Sequence, residues 1–264
     1  MNRKFPRPIK RIVIKVGSSV VATYTMSPKK ARLKSLTAQI SKVFGQGQEV
    51  ILVSSGAVVL GMGELKESKR PSDLASLQAC AAVGQAALMD VYHEFFKSYK
   101  RKCGQILLTW DDFDNRVRYS NARNTMEALL SRGVIPVINE NDTVATEEMK
   151  FGDNDRLAAM VAALVKADLL LILSDVDGLY DMKDGDKKIF REIKEVTAEI
   201  EGAVLGKGVS DDKKHIARGG MSAKLEAVKV ATKANIPAVI ANGEMKDVLL
   251  RVLAGERVGT FFAA

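Results

Sequence analysis

The chain has 264 residues and a formal net charge of +8; 47% of its residues are hydrophobic and 27% charged. That length allows one large α/β domain or two small ones, and that balance is of a globular protein that buries a core, not of a disordered tail. No apolar run approaches the ~18–20 residues needed to cross a bilayer, and the basic start leads straight into a strand-sized segment without the apolar stretch of a secretory leader, so a cytosolic protein is expected.

In chain order, residues 12–16 read as a buried strand and 28–44 as a helix, with Ser27 as its cap and Pro28 at its first position. A strand at 50–54 leads into helical stretches at 57–63 and 73–99. Next come a strand at 106–109, a helix at 121–131 ended by Gly133, and a strand at 134–138. The second half reads as an alanine-rich helix at 156–167, a strand at 169–173, a helix at 222–234, a strand at 238–240 and a last helix at 245–253. Apolar strands alternating with amphipathic helices predict a mainly parallel sheet covered on both faces. The stretch 143–151 reads as a hairpin beside the sheet, and 181–188 as a polar loop turning at Asp184-Gly185. Lys183 stands where a calcium loop needs an acidic ligand, which excludes that motif. There is no internal repeat and no long linker.

The basic excess is partly gathered in Arg3, Lys4, Arg7, Lys10 and Arg11 and is otherwise interspersed with acids on helical segments. With no aromatic RNA-binding motif, zinc finger or basic zipper, it reads as solvated surface and a taste for small anionic substrates, not as a nucleic-acid interface. Cys80 and Cys103 match no metal-ligand spacing and imply no disulfide. His93 and His215 lack the context of a catalytic triad and read as surface or structural.

In open α/β sheets, ligands collect beyond the carboxyl ends of the strands. Lys15-Val16-Gly17-Ser18-Ser19, Ser54-Ser55-Gly56, Asn139-Glu140-Asn141-Asp142 and Ser174-Asp175-Val176-Asp177-Gly178 all fall there. One polar strand end is unremarkable, but four on one predicted edge make a site. Lys15 is either a strand-end lysine that snorkels to solvent or a cation for an anionic ligand. Gly152-Asp153-Asn154-Asp155 precedes a helix; one cap would explain one of these residues, while the others would hold Mg²⁺, orient lysines or bind an amino acid. Arg218-Gly219-Gly220-Met221-Ser222-Ala223-Lys224 opens the next long helix as either a flexible loop or a phosphate-binding turn. No Gly-x-x-x-x-Gly-Lys-Ser/Thr phosphate loop and no protein-kinase motif occurs.

Together the pieces resemble the amino acid kinase family: VIKVGSSVV at 13–21, VSSGAV at 53–58, AAVGQAALM at 81–89, GQILLTWDD at 104–112, NARNTMEALL at 121–130, VIPVINENDTVATEEMKFGDND at 134–155, LILSDVDGLYD at 171–181 and RGGMSAKLEAV at 218–228. They run in the family's order, and the NENDTVAT and GDND blocks resemble its glutamate-phosphorylating branch. The resemblance implies a three-layer αβα sandwich with a mainly parallel central sheet, in a single kinase domain over 1–264. About 1–166 would bind the amino acid and about 167–264 ATP. It implies transfer of a phosphoryl group from ATP to the γ-carboxylate of L-glutamate, the first step of proline biosynthesis, with Mg²⁺ brought by the nucleotide and no protein-held metal.

By motif, Lys15 and Lys224 resemble the lysines that stabilise the transferred group and Asp155 the carboxylate that orients them. Ser55, Asp142 and Asn154 resemble the glutamate contacts. Lys15, Ser174, Asp175 and the run Arg218, Gly219, Gly220, Met221, Ser222, Ala223, Lys224 resemble the ATP contacts. Proline is the implied inhibitor, and a homo-oligomer, dimer or tetramer, the implied assembly. The sequence departs from the pattern in two ways. Arg218 stands where many relatives have Thr, so it either reaches a phosphate or points to solvent. The chain also stops at 262–264, so the RNA-binding-type PUA module of many relatives is not expected. The rivals are phosphorylation of another small acid within the family, and an RNA-binding or regulatory protein that has kept the fold; the latter would have lost at least one of Lys15, Asp155 or Lys224.

Overall fold

The computed structural model describes residues 3–144, 154–181, 188–205 and 211–264, without the side chains of 205–219. Of the expected hairpin at 143–151, residues 145–151 lie outside that description and Asp142–Val144 form a 3-10 turn; Gly152 and Asp153, the turn at 184–185 and the Arg218 side chain also lie outside it. The strands are β1 (Arg11–Val16), β2 (Glu49–Ser54), β3 (Lys102–Leu108), β4 (Val134–Glu140), β5 (Leu169–Ser174), β6 (Tyr180–Asp181), β7 (Lys188–Ile189), β8 (Glu192–Ile193), β9 (Ala238–Asn242) and β10 (Thr260–Phe262). Eight form one sheet in the order β3-β4-β2-β1-β5-β9-β10-β8, parallel except where β10 meets β9, while β6 and β7 pair as an antiparallel ribbon.

The helices are α1 (Ser18–Val21), α2 (Lys30–Gly45), α3 (Ala57–Glu64), α4 (Leu74–Ser98), α5 (Asp111–Asp114), α6 (Arg116–Ser131), α7 (Asn154–Leu164), α8 (Ala198–Leu205), α9 (Asp211–Lys233) and α10 (Val248–Leu253). Successive strand residues point to opposite faces. Ile12, Ile14 and Val16 accordingly join the core beneath α2, α4 and α10. Val13 joins the second core beneath α6, α7 and α9. The three-layer αβα sandwich is the one expected, and β1, at the centre, is sealed on both faces.

Several boundaries differ from expectation for local reasons. The helix expected from 28 starts at Lys30, because Pro28 bridges Ala22 and the Ser27 backbone is engaged by Thr23 in the connecting loop. β3 starts at Lys102, since it is a half-exposed edge strand whose polar residues hide its length, and it pairs with β4 along all of it. Helix α6 begins at Arg116 under a cap in which the Asn115 side chain accepts from the Val117 and Arg118 amides. Helix α9 begins at Asp211: residues 211–218 contain no glycine or proline, and the helix runs on through Gly219-Gly220. The short strands β6, β7, β8 and β10 carry too few residues for a period to show.

By length and composition α4 would suit a membrane, but one of its faces, with Cys80, Gly84, Leu88, Tyr92 and Phe96, is buried in the protein, and Gln78, Gln85, Asp90, His93 and Glu94 interrupt it. It packs on α3 with almost no gap: a Cβ on Gly61 would collide with the Cys80 carbonyl, and one on Gly84 with the Ala57 carbonyl. The obstacle at Gly61 is backbone, which cannot swing aside. Gly61→Ala should therefore cost about 2 kcal/mol and lower the melting temperature by several degrees. A thermal melt unchanged from wild type would show that the two helices can part freely.

Candidate active site

The parallel strands deliver their carboxyl ends to one edge of the sheet. Lys15 has the parity of Val13, so its side chain enters the face covered by α7 and α9. There its Nζ lies 2.7 Å from Asp155 Oδ1, at the start of α7, and Lys224 Nζ, from α9, donates to Asp155 Oδ2 at 3.0 Å. Lys224 also donates to the Gly220 carbonyl one turn earlier, at 3.0 Å. Lys15, Asp155 and Lys224 are 5%, 4% and 7% exposed. Burial alone would push the Asp155 carboxyl up; the charges of Lys15 and Lys224 and their hydrogen bonds outweigh it and hold the group below the usual carboxylate range. Among the described residues, two ammonium groups thus share this one carboxylate.

Asn154, the preceding residue, is also buried and serves the neighbouring strands. Its Nδ2 donates to Asn139 Oδ1 at 2.8 Å and to Ser55 Oγ at 3.1 Å, which ties the ends of β4 and β2 together. Asn139 in turn donates to Gln85 Oε1, and Gln85 donates to Gln105 Oε1, at 2.8 and 2.9 Å, so a line of amides runs through α4 to β3. Ser54 and Tyr92 share a buried hydrogen bond of 2.8 Å below it.

Beside this wall opens a cavity of about 180 Å³, lined by Ser18, Ser55, the first residues of α3, Arg70, Asp142 and Asn154. Gly56 turns the chain into α3 with φ +111°, where a Cβ would meet the Val21 side chain. The Asn154 Oδ1 atom is buried with no hydrogen-bond partner. Burial pushes the Asp142 carboxyl up to about 6, with Arg70 opposing.

On the other side of β1, the end of β5 presents Ser174, buried, and Asp175, exposed, with Ser174 Oγ donating to Asp175 Oδ1 at 2.9 Å. The sheet order β4-β2-β1-β5 therefore sets the lysine cluster, at β1, between the cavity and the Ser174–Asp175 turn.

Of the residues singled out from the sequence, Lys15, Asp155 and Lys224 form one cluster, Ser55, Asp142 and Asn154 line one cavity, and Ser174 and Asp175 stand apart at the next strand end. Gly220, Met221, Ser222 and Ala223 lie inside α9 and not at its start, a correction to the expected helix opening. Their amides point along the helix axis, and Gly220 contributes its carbonyl to Lys224. Sequence reasoning missed Arg70, Gln85 and Gln105. The Gln85 signal was present inside AAVGQAALM, whereas Arg70 is marked only by the adjacent Pro71. Among the described residues, no group of three or more His, Cys, Asp and Glu comes together to hold a metal ion.

Asp155→Asn would take the shared carboxylate away from two buried ammonium groups, so a loss of about 3–5 kcal/mol is expected at neutral pH. Because the folded carboxyl is held below its unfolded value, the stability it supplies is complete above the ordinary carboxylate range and disappears as pH falls through the depressed folded value. Denaturant melts at pH 7 and in acid should show the variant far weaker at pH 7 and the gap to wild type narrowing in acid. A gap independent of pH would contradict this role for the carboxylate.

Residues 10–242 match the model of the Amino acid kinase family. The chain is 45% identical to a glutamate 5-kinase of Geobacter sp. (strain M21), covering 99% of this chain and 70% of that protein. It is 43% identical to the glutamate 5-kinase of Clostridium perfringens over 99% of this chain and 98% of that one. With the glutamate 5-kinase of Deinococcus radiodurans the identity is 47%, over 96% and 69%. The fold is that of UMP kinase from Bacillus anthracis, with a TM-score of 0.65 at 20% identity over 97% of both chains. The strand-end site, the family model and these relatives agree, and the chain belongs to the amino acid kinase family.

Proposed function

We propose that this protein transfers the γ-phosphoryl group of ATP to the γ-carboxylate of L-glutamate, giving L-glutamyl 5-phosphate and ADP, the first step of proline biosynthesis. The Lys15–Asp155–Lys224 cluster carries the assignment: two buried ammonium groups held on one carboxylate lie between a small cavity and a second strand-end turn. The cavity, at about 180 Å³, is below the range of pockets that enclose larger ligands, and its charged lining of one acid and one base suits an amino acid. The relatives named glutamate 5-kinases support glutamate over the other small acids of the family.

In this reaction a γ-carboxylate oxygen forms a bond to the terminal phosphorus while the bond from that phosphorus to the bridging oxygen breaks, its electron pair leaving with ADP. No proton has to move, because the carboxylate arrives ionised. Catalysis then rests on position and charge. Lys15 and Lys224 would bear on the oxygens of the group in flight, and Asp155 would keep both ammonium groups aimed. Ser55, Asp142 and Asn154 would hold glutamate, the N-terminal part of the chain thus serving the acceptor. Ser174, Asp175 and the segment 218–224 would serve the nucleotide, which brings Mg²⁺ on its own phosphates to offset their charge. A cytosolic homo-oligomer belongs to the same proposal and rests on the family resemblance alone.

ADP release measured with glutamate, N-acetylglutamate, aspartate and UMP separates the members of the family; turnover with glutamate alone is expected, and a preference for any other acceptor would replace the assignment. With glutamate, Lys224→Ala should lower kcat about 100-fold with little change in KM, because its charge acts mainly on the transition state. Wild-type turnover in that variant would remove Lys224 from the mechanism.

Proline carries the ammonium and α-carboxylate of glutamate but no γ-carboxylate, so it would occupy the same cavity without reacting. Initial rates should show inhibition that rising glutamate relieves. Inhibition that glutamate leaves untouched would demand a separate proline site.

A further inference from the structure

We infer that Arg70 anchors the α-carboxylate of the amino-acid substrate and thereby decides which of its two carboxylates reaches the lysine cluster; this rests on the glutamate reading above. Arg70 belongs to the connection between α3 and α4, and that connection is pinned at both ends. The Glu67 amide donates to the Met62 carbonyl at 2.9 Å, Lys66 takes a left-handed turn at φ +58°, and the Asp73 side chain accepts from the Ser76 amide at 2.8 Å to cap α4. Pro71 follows Arg70 directly and confines it to extended backbone. An exposed arginine on a surface loop would ordinarily wander, but this one is delivered to the cavity wall.

The charged lining of that cavity consists of Arg70 and Asp142. They influence one another electrostatically, yet no ion pair at contact distance joins them among the described residues. Asn154 also lines the cavity, and its Oδ1 is buried with no hydrogen-bond partner. An acid, a neutral acceptor and a guanidinium around a small cavity match the head of an α-amino acid. The ammonium group would meet Asp142 and Asn154 Oδ1, and the α-carboxylate would take the planar fork of Arg70.

The consequence concerns regiochemistry. Glutamate offers two carboxylates of similar nucleophilicity, and the ammonium groups of Lys15 and Lys224 attract either. Lys15 does not line the cavity, but Ser18 and Asn154, its near neighbours in chain or space, do. An α-carboxylate held at Arg70 leaves the γ-carboxylate as the group free to extend toward the lysines.

The test compares wild type, Arg70→Gln and Arg70→Lys with two ligands: glutamate, and its α-amide isoglutamine, which keeps the ammonium and the γ-carboxylate but lacks the α-carboxylate charge. Kd by calorimetry and KM by ADP release are both read. Arg70→Gln should weaken glutamate about 10- to 100-fold, the size of a lost charge-assisted contact, and isoglutamine by less than about threefold. Arg70→Lys should fall between, since a point charge replaces a fork. The ATP KM should not move. Equal weakening of both ligands, or of neither, with wild-type turnover of glutamate intact would overturn the inference alone. A wild-type protein that neither binds nor phosphorylates glutamate would overturn it together with the function on which it rests.

Discussion

Asp155 sits between Lys15 and Lys224 with all three charges withdrawn from water, an arrangement that is costly unless each group is held in place by the others. As a contribution to stability alone it makes little sense, since apolar residues in the same space would do at least as well. Its value lies in what it aims: two ammonium groups are fixed in direction by contacts of 2.7 and 3.0 Å to one carboxylate. The fold can be read as the apparatus for this contact. β1 brings Lys15 from the start of the chain, α9 brings Lys224 from near its end, and α7 places Asp155 over the central strand. Two separate cores, one on each face of the sheet, keep those elements from shifting.

The acceptor side is held by hydrogen bonds instead of charge. Neutral amides from Gln105, Gln85, Asn139 and Asn154 run from the edge strand β3 inward to Ser55, so each side chain has its rotamer set by the next. A wall assembled in this way is already in its working shape, so little ordering remains for a ligand to impose. The exception is Asn154 Oδ1, which is buried with no hydrogen-bond partner.

Much of this was legible from the residues themselves. Polar clusters at the ends of apolar runs point to one edge of the sheet, because four of them gather there where a single one would be unremarkable. The parity of β1 alone assigns Lys15 to one face. What stayed hidden had a physical reason in each case. Arg70 lies in a loop where no periodicity operates, and its approach to Asp142 is a tertiary fact. The glutamines of α4 and β3 look like ordinary surface residues until the sheet order brings them together. The sequence leaves Arg218-Gly219-Gly220 as either a flexible loop or a phosphate-binding turn that opens a helix, whereas the chain on both sides is helical enough to carry the glycine pair.

Asn154 and Asp155 are consecutive residues at the start of α7, and each belongs to a different half of the site. The spacing from the acceptor wall to the charged pair is thus set by one peptide unit, the least extensible ruler that a protein possesses. Substitution at either position can alter what is received or how strongly it is attracted. Because the two residues are adjacent, an insertion or a remodelled loop elsewhere in the chain does not lengthen the link between the cavity wall and the charged cluster.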